Sequence, residues 1–314
     1  MYIRLRGAYA LLFLLLLLPI IIIAQKPAQQ HSNPDTTEIN TINKARINGL
    51  LIGGGLAYAG SMTGLYHLWF KNYPQSSFHF INDNHEWLQM DKAGHATSSY
   101  YIGLLGYEAL RWAGFNNKKA AWYGGSMGFA YLTVIEILDG FSAGWGASSG
   151  DLIANSLGSA AFISQQLIWE EQRILMKWSF HMTGYAKYRP DLLGRSFAER
   201  ALKDYNGQTI WLSANIRSFL KNERRFPGWL NIAFGYGAEE MIGANSNPAF
   251  HNDEPLPGFD RYRQFYISPD IDLTRIRTKS PLLNKTLKTF GFLKIPLPAL
   301  EFSSKGVKFH PLYF

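Results

Sequence analysis

The stretch NGLLIGGGLAYAGSMTGLYHLWF, residues 48–70, contains no Asp, Glu, Lys or Arg and is rich in glycine and large apolar residues. An uncharged run of this length is enough to cross a lipid bilayer. Gly60 and Gly64 are four residues apart and would let a second helix approach closely. A core helix of a soluble protein is the alternative, but so many glycines would be costly there. We therefore interpret residues 48–70 as a membrane helix.

Three further helical segments follow, over residues 91–112, 118–138 and 149–168. The first of these is followed by Gly114 and a pair of asparagines, a common signal for the end of a helix. Short connections between successive helices favour an antiparallel arrangement. The fold is therefore predicted to be mainly α, with a glycine-rich, membrane-type four-helix bundle over residues 44–177.

The sequence changes character after Lys177, where basic residues become frequent and the long apolar runs stop. Short alternating stretches then resemble β-strands. These strand candidates are residues 230–236, 261–273, 299–302 and 307–314. We predict a smaller, basic, β-containing C-terminal region over residues 178–314 that lies on the bundle or on the membrane surface.

The N-terminus has the pattern of an export signal. Arg4 and Arg6 precede an almost uninterrupted apolar run, residues 8–24, and a polar stretch begins at Gln25. We predict a signal peptide over residues 1–24 and a polar leader over residues 25–43. An uncleaved anchor is the alternative, because the apolar run is close to the length that spans a bilayer. Either reading places the protein in the cell envelope, exported, periplasmic and associated with the inner or the outer membrane.

Composition narrows the classes of site and partner. The chain has no cysteine, so it has no disulfide and no cysteine to carry a lipid, and any metal site must use His, Asp and Glu. Aromatic residues make up 15% of the chain and charged residues only 17%, which favours a surface beside a membrane. The net charge of +8 favours anionic membrane lipid or envelope polysaccharide as a partner. Nucleic acid is excluded as a partner for an exported protein.

Polar residues cluster at the ends of three predicted helices. They are Asp91, Lys92 and His95 at the start of the second helix, Glu136 and Asp139 at the end of the third, and Ser148, Asp151 and Asn155 at the start of the fourth. Spacings of three and four residues place each group on one helix face. In an antiparallel bundle all three groups would lie at the same end. Charged groups within a membrane bundle are costly and are typically functional.

This cluster predicts a candidate catalytic set of His95, Glu136, Asp139 and Asp151, supported by Asp91, Lys92, Ser148 and Asn155. Such a set could bind a divalent metal or transfer a proton. Structural alternatives stay open: helix capping, ion pairing of Glu136 with Lys92 or Arg111, and packing of His95. The sequence identifies neither a cofactor nor a metal.

These motifs carry a family resemblance. The pattern Asp91-Lys92-x-x-His95, Glu136-x-x-Asp139 and Ser148-x-x-Asp151-x-x-x-Asn155-x-x-Gly158 resembles the YfiM-like domain of unknown function, described as predicted periplasmic lipoproteins. It is more distantly similar to VanZ-like membrane proteins. The resemblance covers about residues 85–165 and implies an envelope location and a helical core, without an activity. The absent lipid-bearing cysteine departs from it.

Two hypotheses about function follow, from different classes. The first is an uncharacterised envelope protein that acts in envelope structure or assembly. The alternative is a hydrolase or transferase that acts on a lipid or lipid-linked substrate, with or without a metal ion. A small-molecule binding module at the end of the bundle is a third reading.

Overall fold

The structure is a computed structural model, and it describes residues 41–71, 73–220 and 225–314. The predicted signal peptide and most of the predicted leader lie outside the described residues.

Five long helices form the first half of the described chain. They are α1 (Lys44–Leu65), α2 (Met90–Trp112), α3 (Asn117–Gly125), α4 (Met127–Gly140) and α5 (Ser149–Trp169). The segment predicted as one third helix is thus two helices, α3 and α4, which meet at Ser126. The sequence Gly-Gly-Ser at this junction has low helix propensity, so the interruption has a local cause.

The helices α2, α4 and α5 pack closely because small residues lie between them. A Cβ added to Gly128 on α4 would come within 2.0 Å of the carbonyl oxygen of Ser99 on α2. A Cβ added to Gly158 on α5 would come within 2.0 Å of the carbonyl oxygen of Ala96. Only glycine therefore fits at these two positions, and the resulting backbone contact fixes how α4 and α5 lie on α2.

Shorter elements and strands complete the fold. The helices are α6 (Pro190–Leu193), α7 (Phe197–Lys203), α8 (Ile216–Phe219) and α9 (Pro281–Thr289). The strands are β1 (Phe80–Ile81), β2 (Ala147–Ser148), β3 (Ile174–Phe180), β4 (Gln208–Asn215), β5 (Leu230–Glu239), β6 (Phe250–His251), β7 (Glu254–Pro255), β8 (Tyr262–Ile271), β9 (Leu297–Ser303) and β10 (Gly306–Tyr313). One antiparallel sheet has the order β10-β9-β8-β5-β4-β3, and β1 pairs in parallel with β2.

The predicted fold class, a mainly α membrane-type four-helix bundle with a small β region, was wrong. The six-stranded sheet dominates the second half of the chain, and β3 and β4 were not predicted. Among the described helices, none combines the length and the apolar character required for crossing a bilayer. The reason for α1 is composition: Lys44 and Arg46 lie in its first turn, and glycine, tyrosine, serine and threonine lower its hydropathy.

The division into regions at Lys177 stays a prediction. β3 runs across that boundary, and two tyrosines connect the helices with the sheet. The hydroxyl of Tyr101 on α2 donates to the carbonyl oxygen of Met176, and the hydroxyl of Tyr236 on β5 donates to that of Leu88. The helical core is therefore hydrogen-bonded to sheet residues before and after the predicted boundary.

The sheet is unusual because polar and charged side chains share its buried face with a small core of Trp211, Tyr266 and Tyr313, while its exposed face is largely apolar. Buried side chains include Lys177, Ser213, Asn231, Ser268 and Asp270. The alternate positions of the strands are exposed and carry Leu212, Ile232, Phe234, Phe265, Ile267, Leu300, Phe302, Val307, Phe309 and Leu312. A sheet in water normally has the opposite arrangement.

Candidate ionic site at the end of the helical core

A left-handed turn sets the start of α2. Trp87, Leu88 and Gln89 have φ angles of 50°, 48° and 72°. Such angles are strained for residues other than glycine and persist only where surrounding contacts hold them. The amide of Trp87 donates to the carbonyl oxygen of Ala244 at 2.7 Å, and its ring packs on Tyr205 at 5.3 Å. The turn is therefore held by the C-terminal half.

Ser148 organises the start of α5 and connects it with two acids. Its hydroxyl accepts a hydrogen bond from the amide of Asp151 at 3.1 Å and donates to Asp83 Oδ1 at 2.5 Å. Its own amide donates to Glu136 Oε2 at 2.8 Å. Ser148 is thus both the N-cap of α5 and a link between the loop before α2 and the end of α4.

The ammonium group of Lys92 lies among three carboxylates. Its Nζ atom is 2.8 Å from Asp151 Oδ1, 2.9 Å from Asp83 Oδ2 and 3.1 Å from Asp91 Oδ2. All three aspartates are buried, whereas 13% of the Lys92 side chain is exposed. Lys92 therefore closes the side of the cluster that faces the surface.

His95 contacts the same cluster from the protein interior. Its Nδ1 atom is 3.0 Å from Asn155 Oδ1, and its Nε2 atom is 3.8 Å from Asp151 Oδ1. Because an amide oxygen only accepts, this assigned orientation places a proton on Nδ1. Tyr205 completes the site, since its hydroxyl donates to Asp91 Oδ1 at 3.0 Å.

Burial and the shared charges shift the pKa values of the site. Burial lowers the pKa of His95, but Asp151, Asp91 and Glu136 outweigh it and raise the pKa above the ordinary value. Burial, together with Asp91, raises the pKa of the Asp151 carboxyl against the lowering effect of His95 and Lys92. The site thus contains one ammonium group, one imidazole and four carboxyl groups, those of Asp83, Asp91, Glu136 and Asp151. Its acidic groups outnumber its basic ones.

The structure brings together most of the residues expected at this end of the bundle. Asp91, Lys92, His95, Ser148, Asp151 and Asn155 lie in direct contact with at least one other member. Glu136 belongs to the same site through Ser148 and through its effect on the pKa of His95. Asp139 is buried in the last turn of α4, where its carbonyl oxygen accepts from Ser142 N at 3.0 Å. The catalytic roles of these residues stay predictions.

Sequence reasoning did not find Asp83 and Tyr205. Asp83 lies in a loop without periodicity, so no pattern related it to Lys92 or Ser148. Tyr205 lies 114 residues after Asp91 and follows the short helix α7. No local signal in one sequence could have connected it with the start of α2.

Three residues of the ionic site, Asp91, His95 and Asp151, have donor atoms suited to a metal ion. One oxygen each of Asp91 and Asp151 and one ring nitrogen of His95 all lie within 4.8 Å of one another. An imidazole with two carboxylates suits Zn²⁺ and related first-row ions. This group of three includes neither Glu136 nor Asp139.

Comparison with known families finds a match over the segment that carries most of this site. Residues 79–165 match a family model described as "Predicted periplasmic lipoprotein (DUF2279)". The match contains α2, α4 and the start of α5, which carry most of the site, but covers less than a third of the chain. No curated protein and no solved structure matches the chain.

The match confirms the expected similarity to a predicted periplasmic lipoprotein family and supports an exported, periplasmic location. The more specific likeness to YfiM-like and VanZ-like proteins is not confirmed. The family description includes a lipid, whereas this sequence contains no cysteine to carry one. Residues 79–165 are therefore similar to an uncharacterised envelope family, and the sheet lies outside the matched segment.

Proposed function

We propose that this chain is an envelope protein that contacts membrane lipid through the exposed face of its six-stranded sheet and acts in envelope structure or assembly. The observation that carries the proposal is the polarity of the sheet: its exposed face is largely apolar, whereas charged and polar groups are buried beside a small aromatic core. Burial of polar groups beneath exposed apolar ones is unfavourable in water. It becomes favourable where the outer face meets an apolar phase.

The extent of this surface supports lipid over a protein partner. Exposed apolar side chains also occur on the helices, with Leu51 and Leu56 on α1 and Ile153 and Leu157 on α5. A single partner protein covers one patch, whereas a lipid phase contacts several faces at once.

Charge supports anionic lipid in particular. Arg263 lies on the exposed face of β8, in the same alternation as Phe265 and Ile267. A guanidinium group at the border of an apolar face is well placed for a phosphate headgroup. The net charge of +8 acts in the same direction.

Flotation with lipid vesicles tests the proposal. We expect the full chain to float with vesicles that contain phosphatidylglycerol. A double variant, Phe265→Gln with Phe309→Gln, should lose most of this binding because both rings lie on the exposed face of the sheet. Leu282→Gln, on α9, is the control, since this leucine is more exposed than either ring but lies outside the sheet. Wild-type protein that stays in the aqueous fraction would contradict the proposal.

The alternative of a hydrolase or transferase rests on the contact between His95 and Asp151. A substrate would have to reach His95, which is only 2% exposed. That burial supports the structural role. Complementation of a strain that lacks this protein, with His95→Ala or Asp139→Asn, distinguishes the enzymatic role from the structural one. An enzyme would lose function in variants that still fold.

A further inference from the structure

The donor atoms at the end of the helical core are arranged as in a partly assembled metal site. One oxygen each of Asp91 and Asp151 and one nitrogen of His95 lie mutually within 4.8 Å, and all three residues are buried. Two of these donors sit on the first turns of different helices, α2 and α5. The backbone contacts between those helices therefore set the spacing of the donors.

The imidazole of His95 is oriented as a ligand would be. Asn155 Oδ1 accepts from Nδ1, so Nε2 is the ring nitrogen directed at Asp151. Histidines that bind metals commonly donate their second ring nitrogen to a carbonyl or carboxylate oxygen, which fixes the ring. The tyrosine hydroxyl on Asp91 Oδ1 similarly orients that carboxylate.

A second observation points to a ligand. The Nδ2 atom of Asn155 is buried and has no hydrogen-bond partner in the part of the chain that the structure describes. The Oδ1 atom of the same amide is 3.0 Å from His95 Nδ1, so this donor belongs to a side chain in direct contact with a proposed ligand. Buried donors are rarely left without an acceptor. An oxygen atom coordinated to a bound metal ion would supply the missing acceptor.

We propose that Asp91, His95 and Asp151 bind a divalent first-row transition ion, for which Zn²⁺ is the probe, and that Lys92 competes with this ion for the same carboxylates. The Lys92 ammonium lies 2.8 Å from the Asp151 oxygen that is also nearest to His95. Its side chain is the partly exposed one of the site. Outward rotation of this side chain frees the carboxylates and opens a route to the surface.

This competition gives the proposal a distinctive test. Lys92→Met removes the internal cation and leaves three buried aspartates without it, so the variant should melt at a lower temperature than wild type. Added Zn²⁺ should restore most of the loss, and it should bind this variant at least about tenfold more tightly than wild type. Mg²⁺ should restore less, because the imidazole ligand favours Zn²⁺.

Calorimetric titration of the full chain, purified through a tag without histidine, locates the ion. We expect one Zn²⁺ per chain and a loss of affinity of tenfold or more in His95→Gln. Asn155→Ala should weaken binding by roughly 10- to 100-fold, as for other residues that orient a ligand. His181→Gln, a histidine of the C-terminal half, is the matched control and should bind as wild type does.

Two results would overturn the proposal. One is the absence of Zn²⁺ binding in both wild type and Lys92→Met. The other is equal binding by His95→Gln and His181→Gln, which would place the ion elsewhere. Neither result depends on vesicle flotation, so the lipid proposal and the metal proposal can fail separately.

Discussion

Two buried ionic clusters in this protein have opposite imbalances of charge. At the end of the helical core, several carboxylates share the ammonium of Lys92. Inside the sheet, Asp270 is shared by two lysines: its Oδ2 atom is 2.7 Å from Lys177 Nζ, and its Oδ1 atom is 3.8 Å from Lys294 Nζ. The first cluster has more carboxylates than ammonium groups, and the second has more ammonium groups than carboxylates. Burial therefore acts on opposite charge imbalances: a further cation would relieve the first cluster, and loss of a proton would relieve the second.

Removal of Asp270 should have the largest effect, because it leaves two buried lysines without their shared carboxylate. Breaking a buried pair from one side typically destabilises by about 3–5 kcal/mol. We expect Asp270→Asn to lower the free energy of unfolding by that amount in urea titrations. Glu254→Gln, at an exposed carboxylate, is the control and should have little effect. A loss below about 1 kcal/mol would show that the sheet interior is well solvated.

Removal of Lys92 without added metal should have a smaller effect, about 2 kcal/mol. The cluster also loses its only lysine, but part of that side chain is exposed, so water reduces the penalty. Urea titration of Lys92→Met in the presence of a chelator measures it. An effect larger than that of Asp270→Asn would reverse the proposed difference between the two clusters.

The hydrogen bond between Tyr205 and Asp91, which links the two halves of the chain, should contribute less to the free energy of unfolding than Lys92 does. Tyr205→Phe removes the hydrogen bond to Asp91 Oδ1, and bonds to charged groups contribute about 1.5–3 kcal/mol. We expect a loss near the lower limit, since Asp91 retains Lys92. Tyr188→Phe, at a tyrosine packed on Phe259, serves as the control in thermal melts. Equal melting temperatures of the two variants would remove Tyr205 from the site.

The pH dependence of stability should carry the smallest and most specific signature. Burial lowers the pKa of Lys294 from 10.5 to about 8, more than Asp270 raises it. Below pH 8 the lysine is charged in both states and the penalty is complete. Between about pH 8 and 10.5 the unfolded chain binds more protons, so stability should rise with pH. Lys294→Met should flatten this rise in urea titrations, whereas Lys305→Met, at an exposed lysine, should not.

The helices were predictable because their signals are local. Residues predicted as helix at 91–112 and 149–168 form α2 and α5, which begin within one residue of the expected positions. The membrane assignment of α1 was wrong because its length and its uncharged run indicate a span, whereas its glycines and tyrosine lower its hydropathy below that of a membrane helix. Those glycines are as compatible with a helix that has few buried residues as with a bilayer.

The sheet was harder to predict because period-2 alternation does not identify the buried face. In β3, Lys177 and Ser179 are buried beside Leu175, so the buried positions of this strand do not form an apolar pattern. At the ionic site, the expected antiparallel arrangement placed His95 and Asp151 at one end of the bundle, and their side chains lie 3.8 Å apart in the structure. Their catalytic roles stay predictions. Asp83 and Tyr205 depend on loop geometry and on a contact between the two halves, which one sequence does not encode locally.

The left-handed turn at residues 87–89 lies between the sheet, for which we propose lipid, and the buried ionic site, for which we propose a metal ion. Its carbonyl at Leu88 accepts from Tyr236 on the sheet, and Asp91 follows three residues later. If lipid contact shifts β5, this hydrogen bond and the three residues of chain that follow it lead to a donor of the proposed metal site. Thermodynamic linkage then requires reciprocity: any factor by which lipid changes Zn²⁺ affinity is the factor by which Zn²⁺ changes lipid affinity.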